Sequence, residues 1–283
     1  MQLEHEKLGR SYNSDYYGAA TSKFVHLIEK LLQIGSKQRA KSICDRWRAS
    51  NDQELKSPDM LDIGCGRGHL LNAFRGQGWN ALGLERNEFP VNKNTDESVK
   101  IGSIYDPEFA EKKFDVVVLW HVFEHLEGHF ELLEKLAQHQ KVNSLLVIAV
   151  PNFSSTQQKL FSKHWFHLDL PRHLVHFERD WLRTALTSSG YEIESFSSFD
   201  FLQNTFGFIQ SSMNIIFKDK KNVFYNLLKN GRYFEKSSIF PSIGWTIFAI
   251  ALLPLALLEG AYSALMSEGA TIKMVARLKD QND

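Results

Sequence analysis

Asp62, Gly64, Cys65, Gly66 and Gly68 fall in the stretch MLDIGCGRGHLL, Met60–Leu71, and their spacing is that of a ligand cradle. Glycines at alternate positions let a backbone turn tightly and approach a bound molecule where a side chain would stand in the way. An apolar run ends at Ile63 and helical spacing begins at His69, so the turn joins the end of a buried strand to the start of a helix. The spacing is G-x-G-x-G. A dinucleotide fingerprint would carry a small residue where this chain has His69. Glu85 closes a second short apolar run, 19 positions after Gly66. A carboxylate there can accept hydrogen bonds from both hydroxyls of a ribose. Strand, turn, helix, strand and acid in that order read as a nucleoside site rather than an ordinary turn with a surface glutamate.

Two other stretches could do chemistry. WHVFEHLEGH, Trp120–His129, contains His121-x-x-Glu124-His125, the spacing of an inverted zinc-protease motif. The motif follows a buried apolar run instead of lying within a long helix, and no third ligand on a second helix is visible. A metallopeptidase is therefore the weaker reading, beside one in which Glu124 pairs locally and His125 packs under the sheet. HWFHLDLPRHLVHF, His164–Phe177, holds four histidines, an arginine and several aromatics. An imidazole titrates near neutral pH and suits proton abstraction from a hydroxyl. The functional reading makes His167 or His173 the base and Arg172 a clamp for an anionic group. The alternative is a loop packed by Trp165, Phe166 and Phe177, with Pro171–His173 fixing its path.

The elements that must position these residues follow from periodicity. Phe24–Arg48 has helical spacing and predicts two helices broken near Gly35. Short apolar or β-branched runs at Met60–Ile63, Ala81–Leu84, Val99–Ile101, Phe114–Trp120, Ser144–Val150, Tyr191–Phe196 and Thr271–Leu278 predict strands. Helical stretches at His69–Gly76, Phe130–Gln140 and Asp180–Ser189 alternate with them. Such alternation implies an α/β fold, with a mostly parallel sheet covered on both faces by helices. The 283 residues carry 33 basic and 33 acidic side chains, so no net charge argues for nucleic acid. The two cysteines, Cys44 and Cys65, suggest no disulfide framework, and the charged N-terminus lacks the apolar core of a secretory signal. Both point to a cytoplasmic setting.

The segments LDIGCGRGHLL, GLE, FDVVVLWHVFEHL and LLVIAVPNF resemble, in order, the motifs of class I S-adenosylmethionine-dependent methyltransferases, in the branch related to quinone-biosynthesis O-methyltransferases. The likeness covers roughly Asp15 to Phe199 plus the last strand. It implies a Rossmann-like seven-stranded sheet and S-adenosyl-L-methionine as cofactor. Asp62, Gly64, Cys65, Gly66 and Gly68 would line its methionine half, with Glu85 at the ribose and Ser103 and Ile104 beside adenine. Trp120 and His121 would sit by the sulfonium. Many relatives have an acid where Ser103 stands. Some hold a divalent metal through E-x-x-E-H, but His121 replaces the first acid here, and no metal is expected.

One block departs from the pattern. Ser237–Leu258 runs for 22 residues without a charge, after Lys218–Lys236 with its six Lys/Arg and two acids. That length suffices to cross a bilayer, and flanking basic residues suit an anionic cytoplasmic leaflet. A single span would carry Thr271–Leu278 away from the sheet it should complete, and Pro254 interrupts the run. A re-entrant or in-plane helical hairpin is expected instead, with a soluble lid or a dimer surface as alternatives. The chain thus divides into residues 1–57, an N-terminal helical cap; 58–200, the cofactor-binding core; 201–270, a hydrophobic, membrane-associating helical insert; and 271–283, the last strand and tail. The expectation is a methyltransferase, peripheral or monotopic on the cytoplasmic face, acting on a hydroxyl of a small-molecule, saccharide or lipid-linked acceptor. An inactive membrane-bound scaffold of the same fold is the alternative.

Overall fold

The structure is a computed structural model that describes residues 24, 26–51, 57–86, 98–218, 221–229 and 239–280. Residues 1–23, 25 and 52–56 of the N-terminal cap, and Lys220, Arg232 and Lys236 of the basic stretch, lie outside the described residues.

One seven-stranded sheet organises the chain. Its strands are β1 (Asp59–Ile63), β2 (Asn80–Glu85), β3 (Val99–Ile101), β4 (Phe114–Trp120), β5 (Gln140–Pro151), β6 (Tyr191–Ser197) and β7 (Thr271–Leu278), in the order β3-β2-β1-β4-β5-β7-β6. β3 to β2, β2 to β1, β1 to β4 and β4 to β5 all pair in parallel. Order reverses between β1 and β4, where open α/β sheets bind ligands at the carboxyl ends of their strands. Val116, Val117, Val118 and Leu119 of β4 are all fully buried, so both faces of the sheet are covered.

The chain forms two compact units. The first, a sheet unit, gathers Glu29–Ala149, Asp180–Phe196 and Met274–Asp283. On one face of its sheet, Met60, Val116, Val118, Leu145 and Val147 pack with helix α1 (His26–Ala49) and helix α2 (His69–Arg75). α1 runs unbroken through Gly35, where two helices were expected. A mid-helix glycine costs about 1 kcal/mol, and burial of Ala40, Ile43, Cys44 and Trp47 on the same helix offsets it. Helices α3 (His129–Gln138) and most of α5 (Arg179–Ser188) also belong to this unit.

The second unit gathers the residues up to Ile28, Val150–Arg179 and Ser197–Lys273. It contains the short helix α4 (Thr156–Phe161), the histidine-rich loop, and helices α6 (Phe201–Ile216), α7 (Val223–Leu228) and α8 (Ile239–Met266). Asp200 caps α6 by accepting from Gln203 N–H at 3.2 Å. The expected hairpin within the uncharged run does not form; α8 is a single helix of 28 residues with Pro254 inside it. Pro254, on the exposed side of the helix, withholds one backbone N–H without ending it. Ile209, Met213, Val223, Trp245, Ala249 and Ala256 form the core that joins α6, α7 and α8. The insert closes at its base. A Cβ on Gly269 would lie 1.9 Å from the Ser198 carbonyl, so the chain leaves and returns at one point.

Candidate functional site

The glycine turn is held by main-chain bonds to β2 and within itself. Gly64 N–H donates to the Leu84 carbonyl at 2.7 Å, and Gly68 N–H to the Cys65 carbonyl at 2.9 Å. Gly64, Gly66 and Gly68 have φ of 69°, 53° and 71°, in the left-handed region that favours glycine. Two of them answer different demands. A Cβ on Gly64 would strike Val122 Cγ2 at 2.3 Å, whereas one on Gly66 would meet nothing within 4 Å. Gly64 lets the chain after β4 approach; Gly66 borders open space. The Cys65 side chain packs toward Gly83, where a Cβ would come within 2.6 Å of its Sγ. Burial pushes that thiol up and keeps it protonated.

Three charged side chains meet at this turn. Glu85 is buried and accepts from Gly66 N–H and Arg86 N–H, each at 3.0 Å. A carboxylate has about four acceptor positions, which leaves capacity for ribose hydroxyls. Burial raises the Asp62 carboxyl to about 7; the Arg39 guanidinium opposes this and the Glu85 charge adds to it. Arg39 reaches in from α1 and lies 3.4 Å from the centre of the Trp120 ring. α1 is held across the start of α2 by Glu29, whose Oε2 is 3.1 Å from His69 Nε2. Sequence motifs gave Asp62, Glu85 and Trp120 but missed Arg39, which lies in no motif and is brought in by a long-range helix contact.

Ser103 and Ile104 follow β3 and are tied to the same corner, since Gly102 N–H donates to the Glu85 carbonyl at 2.9 Å. Ile104 is buried. Asp106 supplies an acid close to the position where Ser103 lacks one, and its carboxylate accepts from Ser103 N–H at 2.7 Å. His121 sits just past β4 with φ of 54°, an unusual conformation for a residue with a Cβ. Its Nδ1 lies 3.5 Å from Glu124 Oε1, and Glu124 is 1% exposed. The local pairing expected of Glu124 is therefore present. His125 is half-buried.

In the second unit, His167, Arg172 and His173 come together within the histidine-rich loop. His173 is buried, and its Nδ1–H donates to the His167 carbonyl at 2.8 Å. In the neutral ring that bond places the lone pair on Nε2. His176 Nε2–H donates to the Leu168 carbonyl at 2.9 Å. Arg172 pairs with Asp169. His167 is 5% exposed, with Nε2 3.3 Å from the Gln203 carbonyl of α6. Phe166 N–H donates to Ser211 Oγ at 2.8 Å, and Asn214 Nδ2 to the His164 carbonyl at 3.3 Å. The insert's first helix therefore anchors the loop.

These elements fit S-adenosylmethionine on physical grounds. Gly66 has open space where a side chain would be and its N–H is held by the buried Glu85, while the buried Asp62 feels both Glu85 and the Arg39 guanidinium. This set of charges suits a ligand that carries an ammonium, a carboxylate and a ribose. The comparisons agree. Residues 26–195 match the methyltransferase domain family. The ubiquinone biosynthesis O-methyltransferase of Rickettsia prowazekii (strain Madrid E) is 25% identical over 193 residues, 64% of this chain and 68% of that protein. The protein of the same name from Rickettsia canadensis (strain McKiel) is 27% identical over 110 residues, 36% of this chain and 47% of its own length. The chain thus spans about half the length of the latter relative. Among solved structures, a putative sarcosine dimethylglycine methyltransferase from Galdieria sulphuraria superposes with TM-score 0.55 at 12% identity, over 87% of this chain and 86% of that one. The plantazolicin methyltransferase BpumL, in complex with a monoazolic desmethylPZN analog and SAH, gives TM-score 0.52 at 13% identity, over 89% and 87%. At such identities the likeness is one of fold. The matched residues make up more than half of the chain and carry the glycine turn, Glu85, Arg39 and Trp120 together; the chain belongs to the methyltransferase domain family, among the class I S-adenosylmethionine-dependent methyltransferases.

Proposed function

We propose that the chain transfers a methyl group from S-adenosylmethionine to a hydroxyl of a lipid-borne or saccharide acceptor, a quinone-like ring or a polyprenyl-linked glycan, while lying on the cytoplasmic face of a membrane. The observation that carries the transferase reading is the pair of buried carboxylates, Asp62 and Glu85, with the half-buried Arg39 acting on Asp62, beside the open glycine turn. Asp62 takes the ammonium and Arg39 the carboxylate of the methionine part. Glu85 takes the ribose hydroxyls, and the Trp120 face lies by the positive sulfur. S-adenosylmethionine, when bound, supplies a methyl carbon activated by its sulfonium. Much of the acceleration in such a displacement comes from alignment, so few side chains need a chemical role. His173 is the base: its Nδ1–H is committed to the His167 carbonyl, and its Nε2 takes the proton of the acceptor hydroxyl. His167 orients it, and Arg172, braced by Asp169, offers a guanidinium to an anionic acceptor group.

Membrane contact rests on the inverted packing of α8. Beyond the buried Trp245 and the half-buried Phe248 and Leu252, its inward side holds small residues, with Ala249, Ala256 and Ser263 buried. Its outward side holds large ones: Ile250 is 64% exposed, Leu258 68% and Leu265 83%. A helix buried in a soluble core has the opposite arrangement. Among the described residues, Ile243–Met266 is the one helix long and apolar enough to cross a membrane, and 22% of its most apolar window is buried. The closed base of the insert at Ser198 and Gly269 favours a helix lying in the interface over a single crossing. Label transfer from methyl-tritiated S-adenosylmethionine to a bacterial membrane extract tests the reading. Labelled lipid-phase product is expected; firm cofactor binding without any label transfer would support an inactive scaffold instead.

A further inference from the structure

The inner side of α8 carries one ionisable side chain, Glu259, and its partners lead to the histidine loop. Glu259 accepts from Ser263 Oγ on its own helix and, at 2.8 Å, from Gln157 Nε2 on α4. Gln157 is fully buried, and the same Nε2 also donates to the Asn204 carbonyl of α6 at 2.8 Å. Its Oε1 has no hydrogen-bond partner, so the amide is held by its nitrogen end alone. Gly207 of α6 lies beneath this group: a Cβ there would come within 2.9 Å of Gln157 Oε1 and 2.5 Å of His167 Nε2. Gln157 and His167 therefore crowd into one gap that a missing side chain leaves open. His167 in turn gives its carbonyl to His173 Nδ1–H. Hydrogen bonds between α8 and Gln157 and between His167 and His173, with Gln157 and His167 side by side at Gly207, thus lead from α8 to the imidazole assigned as base, within one compact unit.

We infer that Glu259 and Gln157 are positioning residues that couple the seating of α8 on a membrane to the placement of His173. The inference rests on the membrane reading above. Inserting the outer face of α8 into lipid fixes the helix, and Glu259 fixes Gln157 against His167 only while α8 is in place. A buried amide in a nearly solvent-free gap strongly prefers the position where its donors are satisfied. The full-length protein therefore shows a lipid-dependent ordering of the histidine loop that depends on this pair.

Hydrogen exchange of residues 164–176, with and without vesicles of phosphatidylglycerol and phosphatidylcholine, tests this. In the parent, vesicles slow exchange there by about tenfold. Glu259→Leu and Gln157→Leu still sediment with vesicles and bind S-adenosylmethionine, but the slowing falls below about twofold. Glu259→Gln, which can still accept from Gln157, keeps most of it, a rescue that a general loss of packing would not show. Ser263→Ala, a milder change, retains the fold and gives an intermediate response. A parent that sediments with vesicles but shows no slowing, or leucine variants that respond like the parent, would overturn the coupling and leave the membrane reading intact. A parent that does not sediment overturns both.

Discussion

At Gly66 the chain omits a side chain and leaves open space; along α8 it keeps side chains small at Ala249 and Ala256 and absent at Gly260, and the helix approaches its neighbours. The omissions have opposite outcomes. In the sheet unit the omission leaves open space at Gly66, whose N–H is held by the buried Glu85. In the insert they leave none, and bulk appears on the outside instead, as Ile247, Ile250, Leu258 and Leu265. Small residues mark a ligand site only where polar groups border the space they leave. Where large apolar residues stand back to back with them, they mark an exposed apolar face, the feature on which the proposed membrane contact rests.

The difference can be broken most severely at the turn. Gly66→Val adds a branched side chain at φ of 53° in the space a ligand must enter. Binding of S-adenosylmethionine, followed by isothermal titration calorimetry, should weaken by about a hundredfold or more. A Kd equal to the parent's would mean that the open space is not the cofactor site. Glu85→Ala comes next, with a loss of about 1.5–3 kcal/mol for each charge-assisted hydrogen bond removed; it also frees the Gly66 N–H that Glu85 holds. On the insert, replacing Ile250, Leu253 and Leu257 together with Asp should release the protein from anionic vesicles while cofactor affinity stays within about twofold of the parent. If salt alone strips the parent from vesicles, screening has removed the whole attraction and the apolar face contributes nothing.

A finer comparison uses pH. Asp62 keeps its proton up to about 7 in the folded chain, against an ordinary carboxyl value of 3.8. The folded state thus holds a proton that the unfolded state has released between those values. Stability without cofactor therefore falls as pH rises through that window. Binding of the ammonium needs the ionised form, so affinity should climb with pH and level off above about 7, with proton release on binding below it. Asp62→Asn should flatten both dependences; titrations in two buffers of different ionisation enthalpy would reveal a proton still being released if another group is responsible. The smallest expected effect is from chelation. EDTA should change turnover by less than about twofold. A loss that divalent ions restore would make His121, Glu124 and His125 ligands.

The sheet was largely legible because its signals are local. The runs Val99–Ile101, Phe114–Trp120 and Thr271–Leu278 have the bounds of the observed strands β3, β4 and β7; in β4 and β7 mostly buried apolar residues bounded by turns can do little else, and in β3 two β-branched residues flank Lys100 at the sheet edge. The turn and Glu85 were legible for the same reason. Arg39 was not, because its role depends on α1 crossing the start of α2 through Glu29 and His69, residues 40 apart. The breaks expected at Gly35 and Pro254 failed for a shared cause. Each residue has a local preference against helix of a few kcal/mol at most, and helices flanked by buried Ala40, Ile43 and Trp47, or by Trp245, Ala249 and Ala256, recover more by staying whole. Nor does proximity in sequence reveal that Gln157 serves Glu259, 102 positions on.

The closed base of the insert bears on how this protein could be taken apart. With Ser198 and Gly269 in contact, residues 201–270 could be excised and the ends joined by a short linker at little loop-closure cost. A gene built that way would still lose more than it removes. Phe166 N–H, the His164 carbonyl and Gln157 Nε2 would each be stripped of a partner that the excised piece supplied. The attachment is a single neck, but the dependence is spread along 150–179, so shuffling this segment into another scaffold requires carrying that stretch with it.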